Sequence, residues 1–309
     1  TWNEFYSNMP CGGFKQSGIK RDLGEAALET FSQVKTIIMK VAPIDDVEEE
    51  DYADTSASAI ERVIDSLVPK LDRVSRLNYW RPPSKEHKIY DPVNRIIDHT
   101  ALSSSASVST IQKLCKEAMK HQFFGVCVNS SRLDIVVEAL KDDREVSAVA
   151  VVGFPLGANS TKIKCIEAED AVDAGADEVD MVMNIGKLKD KEYQYVLDEM
   201  KAVKQSCGSQ VLKVIIETSM LSKSEIIISS LLAVEADVDF VKTSTGYGGK
   251  GASVENVEIM YAVVGGMGLK VKASGGVKNR KQAEAMIAAG ASRIGASSGI
   301  AIMGGKGNS

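Results

Sequence analysis

Three lysines and two aspartates lie inside runs of apolar residues. Asp98 falls in Ile96-Ile97-Asp98-His99-Thr100 and Asp180 in Glu178-Val179-Asp180-Met181-Val182. Lys213 falls in Leu212-Lys213-Val214-Ile215-Ile216-Glu217, Lys242 in Phe240-Val241-Lys242-Thr243-Ser244-Thr245, and Lys272 in Val271-Lys272-Ala273-Ser274-Gly275-Gly276. Strands of a parallel sheet are covered on both faces, so a charge within one is costly unless it is paired or used. One such lysine reads first as a salt-bridge partner or a snorkelling side chain. Three of them with two aspartates have no packing purpose. The chemistry they support is amine catalysis. A lysine must be neutral to attack a carbonyl, yet its ordinary pKa is about 10.4. A second ammonium nearby and partial desolvation both lower that value. Lys272, one predicted strand away from Lys242, can supply the neighbouring charge. Asp180 is the natural carboxylate to shuttle protons as carbinolamine and enamine form. Spacing alone leaves open which lysine attacks and which tunes it.

Two glycine-containing loops follow the last two predicted strands: Ser274-Gly275-Gly276-Val277-Lys278 and Gly295-Ala296-Ser297-Ser298-Gly299. Backbone amides bared by glycine and aimed from helix N-termini bind phosphate. In a closed barrel, the loops after strands seven and eight are its usual place. Thr245-Gly246-Tyr247-Gly248-Gly249 reads as a flexible lip over a substrate.

The elements that position these residues alternate from about residue 86 onward. Strands are predicted at 96–100, 124–129, 148–153, 179–184, 212–218, 240–245, 269–274 and 293–297. Helical faces lie between them. Ile111, Leu114, Cys115, Ala118 and Met119 share one face, and Tyr193, Val196, Leu197, Met200 and Val203 share another. The expected fold class is α/β, a (β/α)8 TIM barrel with an N-terminal extension. A doubly wound sheet is the alternative, but it would place a glycine-rich phosphate loop after its first strand, where Asp98-His99-Thr100 stands.

The chain has 309 residues and a formal net charge of -5, which gives no electrostatic reason to expect nucleic acid. No apolar run is long enough to span a bilayer, and no signal peptide is apparent. The five cysteines (Cys11, Cys115, Cys127, Cys165, Cys207) form no CxxC pair, and His87, His99 and His121 are scattered. No metal site and no cofactor are expected, and a reducing, cytoplasmic setting is. The first residue is Thr1, which suggests a fragment or trimmed product.

Three segments are expected: 1–42, 43–85 and 86–309. The second holds an acidic stretch around Asp45 to Asp54, read as a solvated linker. It continues into an amphipathic helix with Ile60, Val63, Ile64, Leu67, Leu71 and Val74 on one face, kinked or ended at Pro69. That helix, near residues 58–77, is expected to cover the barrel edge left by a very short eighth helix. The first segment, with Met9-Pro10-Cys11-Gly12-Gly13-Phe14-Lys15-Gln16-Ser17-Gly18 before strand-like residues 34–38, resembles the C-terminal segment of the aldehyde dehydrogenase superfamily. It departs from that pattern at Cys11. That superfamily's nucleophile and dinucleotide domain lie upstream of this segment, so no dehydrogenase activity is inferred. A fusion remnant is the plain reading, and a link to an aldehyde dehydrogenase is the functional one.

Over residues 86–305 the motifs Ile97-Asp98-His99-Thr100, Gly175-Ala176-Asp177-Glu178-Val179-Asp180, Leu212 to Thr218, Phe240 to Gly246, Val271 to Gly276 and Arg293 to Ser298 resemble the deoxyribose-phosphate aldolase family. The resemblance implies a class I aldolase without metal. Such an enzyme reversibly cleaves 2-deoxy-D-ribose 5-phosphate to D-glyceraldehyde 3-phosphate and acetaldehyde. It implies Lys242 as the Schiff-base amine, Lys272 as the residue that lowers its pKa, and Asp180 in proton transfer through a water. Asp98 and Lys213 would shape and polarise the pocket, and Gly275, Gly276, Gly295, Ser297 and Ser298 would hold phosphate. Thr245 would face the substrate. Cys127 stands where the family has a pocket cysteine, although a small buried hydrophobe is its plainer reading. Some family members end in a tail with a terminal tyrosine. Here the end reads Gly304-Gly305-Lys306-Gly307-Asn308-Ser309, so proton transfer would rest on Asp180 and water, at a lower rate. The partners implied are a phosphorylated sugar, acetaldehyde and further copies of the chain in a homo-oligomer, with no nucleic acid and no membrane. A transaldolase-like enzyme and a non-catalytic barrel serving as a binding or scaffold module are the competing readings.

Overall fold

Apolar runs five or six residues long, separated by amphipathic helices, bury both strand faces when the sheet closes on itself. The computed structural model describes residues 55–84, 92–143 and 145–304. It also describes the backbone of two short strands, Cys11–Gly12 and Arg21–Asp22, which pair antiparallel. The chain divides into two units, Thr1–Glu50 and Asp51–Ser309. Apart from those two short strands, the aldehyde dehydrogenase-like segment lies outside the described residues, and so does the whole acidic stretch from Asp45 to Asp54.

Eight parallel strands form the barrel of the second unit: β1 Ile97–Ala101, β2 Gly125–Asn129, β3 Ser147–Val152, β4 Glu178–Val182, β5 Val211–Ile215, β6 Phe240–Lys242, β7 Lys270–Ser274 and β8 Ala291–Ala296. They follow chain order round the barrel, and β8 closes on β1. The helices are α1 Ala57–Leu67, α2 Val108–His121, α3 Leu133–Leu140, α4 Thr161–Asp173, α5 Ile185–Lys189, α6 Tyr193–Ser206, α7 Lys223–Glu235, α8 Val254–Val264, α9 Arg280–Ala288 and α10 Gly299–Ile302. All eight predicted strands are present. The fourth, fifth and sixth end earlier than expected, at Val182, Ile215 and Lys242. The doubly wound alternative is excluded by the β8–β1 pairing.

The register sets the chemistry. Asp180 is opposite Lys213, Lys242 is opposite Lys272, and Lys272 is opposite Arg293. Neighbours in register point to the same side of a sheet, here into the barrel.

Helix α1 starts at Ser56, whose side chain accepts from the Ala59 amide, and it stops at Leu67. Pro69 cannot donate the next helical bond, and a short 3-10 turn over Val68–Lys70 follows. Ile60, Val63, Ile64 and Leu67 join the main core. The expected location of this helix needs correction. It packs on α7, whereas the short α10 lies against β1. The reason is polar as well as apolar. Buried Glu235, at the end of α7, accepts hydrogen bonds from the amides of Ser75 (2.8 Å), Arg76 (2.8 Å) and Leu77 (3.1 Å) and from the Ser75 hydroxyl (3.0 Å). Trp80 then donates its indole N–H to the carbonyl of Val263 on α8 at 2.8 Å. The amphipathic face said that the helix docks; these bonds decide where.

Candidate active site

The barrel interior holds seven charged side chains from six strands. Asp180 is their hub. Its Oδ1 accepts from Lys213 Nζ at 2.6 Å, and its Oδ2 from Lys242 Nζ at 2.8 Å and Lys272 Nζ at 2.7 Å. Lys272 also donates to Asp98. Asp98 Oδ1 accepts from Arg293 at 2.9 Å, Arg293 reaches Glu178 at 2.9 and 3.3 Å, and Lys213 returns to Glu178 at 2.6 Å. These contacts close a ring: Asp180, Lys213, Glu178, Arg293, Asp98, Lys272. It contains three cations and three anions. Lys242 hangs from it through Asp180 and is the seventh charge. The Arg293 guanidinium stacks 3.3 Å from the centre of the Phe124 ring, which closes the cluster below.

Burial makes such a ring costly unless every charge has partners, and here each carboxylate has at least two. Burial alone would raise the Asp98 pKa. Arg293, Lys272 and Lys213 outweigh it and hold Asp98 at about 2. Asp180 follows the same logic: burial pushes it up, but Lys213, Lys242 and Lys272 hold it well below the usual carboxylate range. Burial would lower Lys272, yet Asp180 and Asp98 keep it above the usual ammonium range. Lys272 is therefore a fixed cation beside Lys242.

The two outer lysines of the hub are sealed. Lys213 and Lys272 are 0% exposed, and Lys242 is 3% exposed. That small difference matters, because Lys242 is the member of the cluster that lines a cleft of about 560 Å³ at the barrel mouth. Thr245, Gly275, Gly276, Gly295, Ser297 and Ser298 line the same cleft. Asp98, Asp180, Lys213 and Lys272 lie beneath it. Cys127 is fully buried in an apolar cluster with Val149 and Val151, against which Leu102 and Phe154 pack. Burial, then the Asp180 charge, pushes the Cys127 thiol pKa up, as a small buried hydrophobe requires.

The two glycine loops sit side by side at one end of the cleft. Gly275 and Gly276 both take left-handed φ values, 83° and 78°, which open the backbone toward the cleft. One expectation changes here. Helix α9 begins only at Arg280, and Asn279 already caps it by accepting from the Gln282 amide at 3.0 Å. The loop itself, rather than that helix end, faces the cleft.

Sequence reasoning missed Glu178 and Arg293 as ring members. Both stood inside quoted motifs, and counting every charge within a predicted strand would have found them. It also missed Glu217, which bonds the Thr245 amide at 3.1 Å and its hydroxyl. The lip is tethered: the Tyr247 hydroxyl donates to the Leu102 carbonyl at 3.0 Å, and its ring meets Phe154 edge-on at 5.6 Å.

Among the described residues no group of His, Cys, Asp and Glu is arranged to hold a metal ion, and no helix is long and apolar enough to cross a membrane.

The profile of the DeoC/LacD family aldolases matches residues 93–304. Deoxyribose-phosphate aldolase of Bdellovibrio bacteriovorus is 50% identical over 211 residues, which cover 68% of this chain and 95% of the relative. That of Clostridium perfringens is 49% identical over 213 residues, covering 69% and 94%. A crystal structure assigned to a deoxyribose-phosphate aldolase of Coccidioides immitis superposes with a TM-score of 0.70 at 37% identity, covering 82% of this chain and 98% of that one. The tetrameric deoxyribose phosphate aldolase of Aeropyrum pernix gives 0.64 at 26% identity, covering 81% and 97%. With a closed barrel, a matched family profile and relatives at half identity over almost their full length, this chain belongs to the DeoC/LacD family of aldolases.

Proposed function

We propose that the chain is a Schiff-base deoxyribose-phosphate aldolase, which reversibly cleaves 2-deoxy-D-ribose 5-phosphate to D-glyceraldehyde 3-phosphate and acetaldehyde. The observation that carries this reading is Lys242 at the cleft floor, bonded to the carboxylate oxygen that also holds Lys272. Attack on a carbonyl requires a free amine. The ring is neutral without Lys242, so a fourth cation there leaves one positive charge in excess, repelled by Lys272. Lys242 attacks C1 of the open-chain sugar, and loss of water gives the iminium ion. The C2–C3 bond then breaks as the C3 hydroxyl loses its proton. Glyceraldehyde 3-phosphate leaves, and the bonding electrons remain as an enamine on Lys242. Protonation of C2 and hydrolysis release acetaldehyde and the amine. Asp180, which touches the amine directly, relays these protons through water.

Asp98 and Lys213 hold Asp180 and Lys272 in place beneath the cleft. Thr245 borders the bound sugar, and Gly275, Gly276, Gly295, Ser297 and Ser298 take the phosphate. Cys127 stays a small buried hydrophobe behind Leu102 and Phe154. The tetrameric relative supports a homo-oligomer, and cysteine usage supports a cytoplasmic location. The division at residues 42 and 85, and an association of residues 1–42 with an aldehyde dehydrogenase, belong to the same proposal. A pull-down that recovers no dehydrogenase removes that last part. The non-catalytic scaffold has no observation in its favour.

The deciding experiment is borohydride reduction with acetaldehyde, followed by peptide mass mapping. A stable adduct on Lys242 is expected. An adduct on Lys213 or Lys272, or none, overturns the assignment, and a substrate panel separates this enzyme from a transaldolase-like one.

A further inference from the structure

Glu217 stands two residues past the end of β5, the strand next to that of Lys242, and the mechanism above does not use it. It is 2% exposed. Its backbone is left-handed, with φ 56° and ψ 65°, a conformation that costs a residue with a side chain free energy and favours glycine. The carboxylate faces the start of the lip. Oε2 accepts from the Thr245 amide at 3.1 Å and from the Thr245 hydroxyl, and Oε1 accepts from Ser219 Oγ at 3.3 Å. Gly248 presses on the same group: a Cβ there would lie 2.6 Å from Glu217 Cδ. The Thr245 hydroxyl oxygen in turn accepts from the Tyr247 amide at 3.0 Å, and the Tyr247 hydroxyl crosses to the Leu102 carbonyl beyond β1. One carboxylate thus begins a chain of bonds that spans the mouth from β5 to β1. Thr245 and Tyr247 both line the cleft that holds Lys242 and the glycine loops.

We propose that Glu217 is a positioning residue, which fixes Thr245 and Tyr247 as the wall that aligns the phosphorylated sugar between Lys242 and the loops at Gly275 and Ser297. The inference rests on the aldolase reading and adds a residue to it. A strained backbone is kept at this point because only a side chain there can reach Thr245. Glycine would relax the turn and lose the wall. The amine and Asp180 suffice for a molecule as small as acetaldehyde, so the wall matters for the larger substrate alone.

That separation gives the test. Glu217→Gln and Glu217→Gly are compared with the unsubstituted protein by borohydride trapping of acetaldehyde on Lys242 and by steady-state cleavage of the sugar phosphate. Trapping is expected to match the unsubstituted protein. KM for the sugar phosphate is expected to rise on the order of tenfold or more, with a smaller change in kcat, as for a misplaced substrate contact. Unchanged KM in folded variants overturns the proposal. So does a loss of trapping in step with turnover, which marks a general collapse of the site. Thr245→Ser and Thr245→Val provide a second route if neither Glu217 variant folds. Valine, which loses the hydroxyl, is expected to raise KM severalfold more than serine, which keeps it; equal effects overturn the proposal. Failure of the unsubstituted protein to trap acetaldehyde on Lys242 instead rejects the aldolase reading, and this inference with it.

Discussion

Lys242 and Lys272 are register partners on adjacent strands, and both amines reach the same oxygen of Asp180, at 2.8 and 2.7 Å. Two ammonium groups on one oxygen repel each other. Lys272 has a second carboxylate, Asp98, and Lys242 opens on the cleft. The two positions should therefore fail differently.

Lys242→Met removes the proposed nucleophile but leaves the ring closed. Activity is expected to fall by roughly three orders of magnitude or more, the scale seen when a covalent nucleophile is lost, with little change in Tm. Lys272→Met leaves Asp98 and Asp180 short of a cation, and breaking such a buried pair costs about 3–5 kcal/mol. Its Tm should drop clearly. Equal thermal stability of the two variants would contradict the ring.

Acid stability follows from the carboxylates. Asp98 at about 2 and Asp180, held well below the usual range, both lie below the unfolded value of about 3.9. Depressed groups of this kind add stability that is complete above the unfolded value and is lost as pH falls through the folded one. Stability measured by denaturant titration should decline between about pH 4 and pH 2. Asp98→Asn should flatten that decline while lowering stability at neutral pH.

Thiol reactivity reports the interior. Burial pushes Cys115 and Cys207 up to about 11 and raises Cys127 as well, whereas Cys165 is half-buried. Among these four, iodoacetamide at neutral pH should label Cys165 first. Early labelling of Cys127, read by mass mapping, would mean that the apolar cluster it forms with Val149 and Val151 opens to solvent.

Gly276→Ala tests the proposed phosphate loop with few side effects. An added Cβ meets nothing within 4 Å, but the φ of 78° disfavours it. A side chain forced into that conformation costs about 1–2 kcal/mol. The loop should shift, and KM should rise for phosphorylated deoxyribose more than for the free sugar. A uniform loss on both would place the phosphate elsewhere.

Glu235→Ala withdraws the acceptor for four hydrogen bonds from Ser75, Arg76 and Leu77. Unmet buried donors cost about 1–3 kcal/mol each at most. Residues 71–80 should exchange their amides faster, and Trp80 fluorescence should change, with acetaldehyde trapping intact.

Much of this architecture was legible in the sequence, because strands buried on both faces leave uninterrupted apolar runs. Lys213, Lys242, Lys272, Asp98 and Asp180 stood out against those runs. Glu178 and Arg293 did not, since Glu178 opens β4 and Arg293, although inside β8, stands first in the predicted strand 293–297, where a charge passes for the end of a loop. Glu217 was hidden for a different reason: its partner, Thr245, lies in the loop after the next strand, and nothing local announces a left-handed glutamate. The docking place of α1 was illegible because an amphipathic face specifies that something apolar covers it and leaves open which groove does so.

A closed circuit of three cations and three anions has a consequence for how this protein can vary. Replacing one member alone strands its neighbours in a dry interior, so single neutral drift at Asp98, Glu178, Asp180, Lys213, Lys272 or Arg293 is penalised. Among homologous chains these six sites should covary, with a lost acid accompanied by a lost base, whereas position 242 answers only to the reaction.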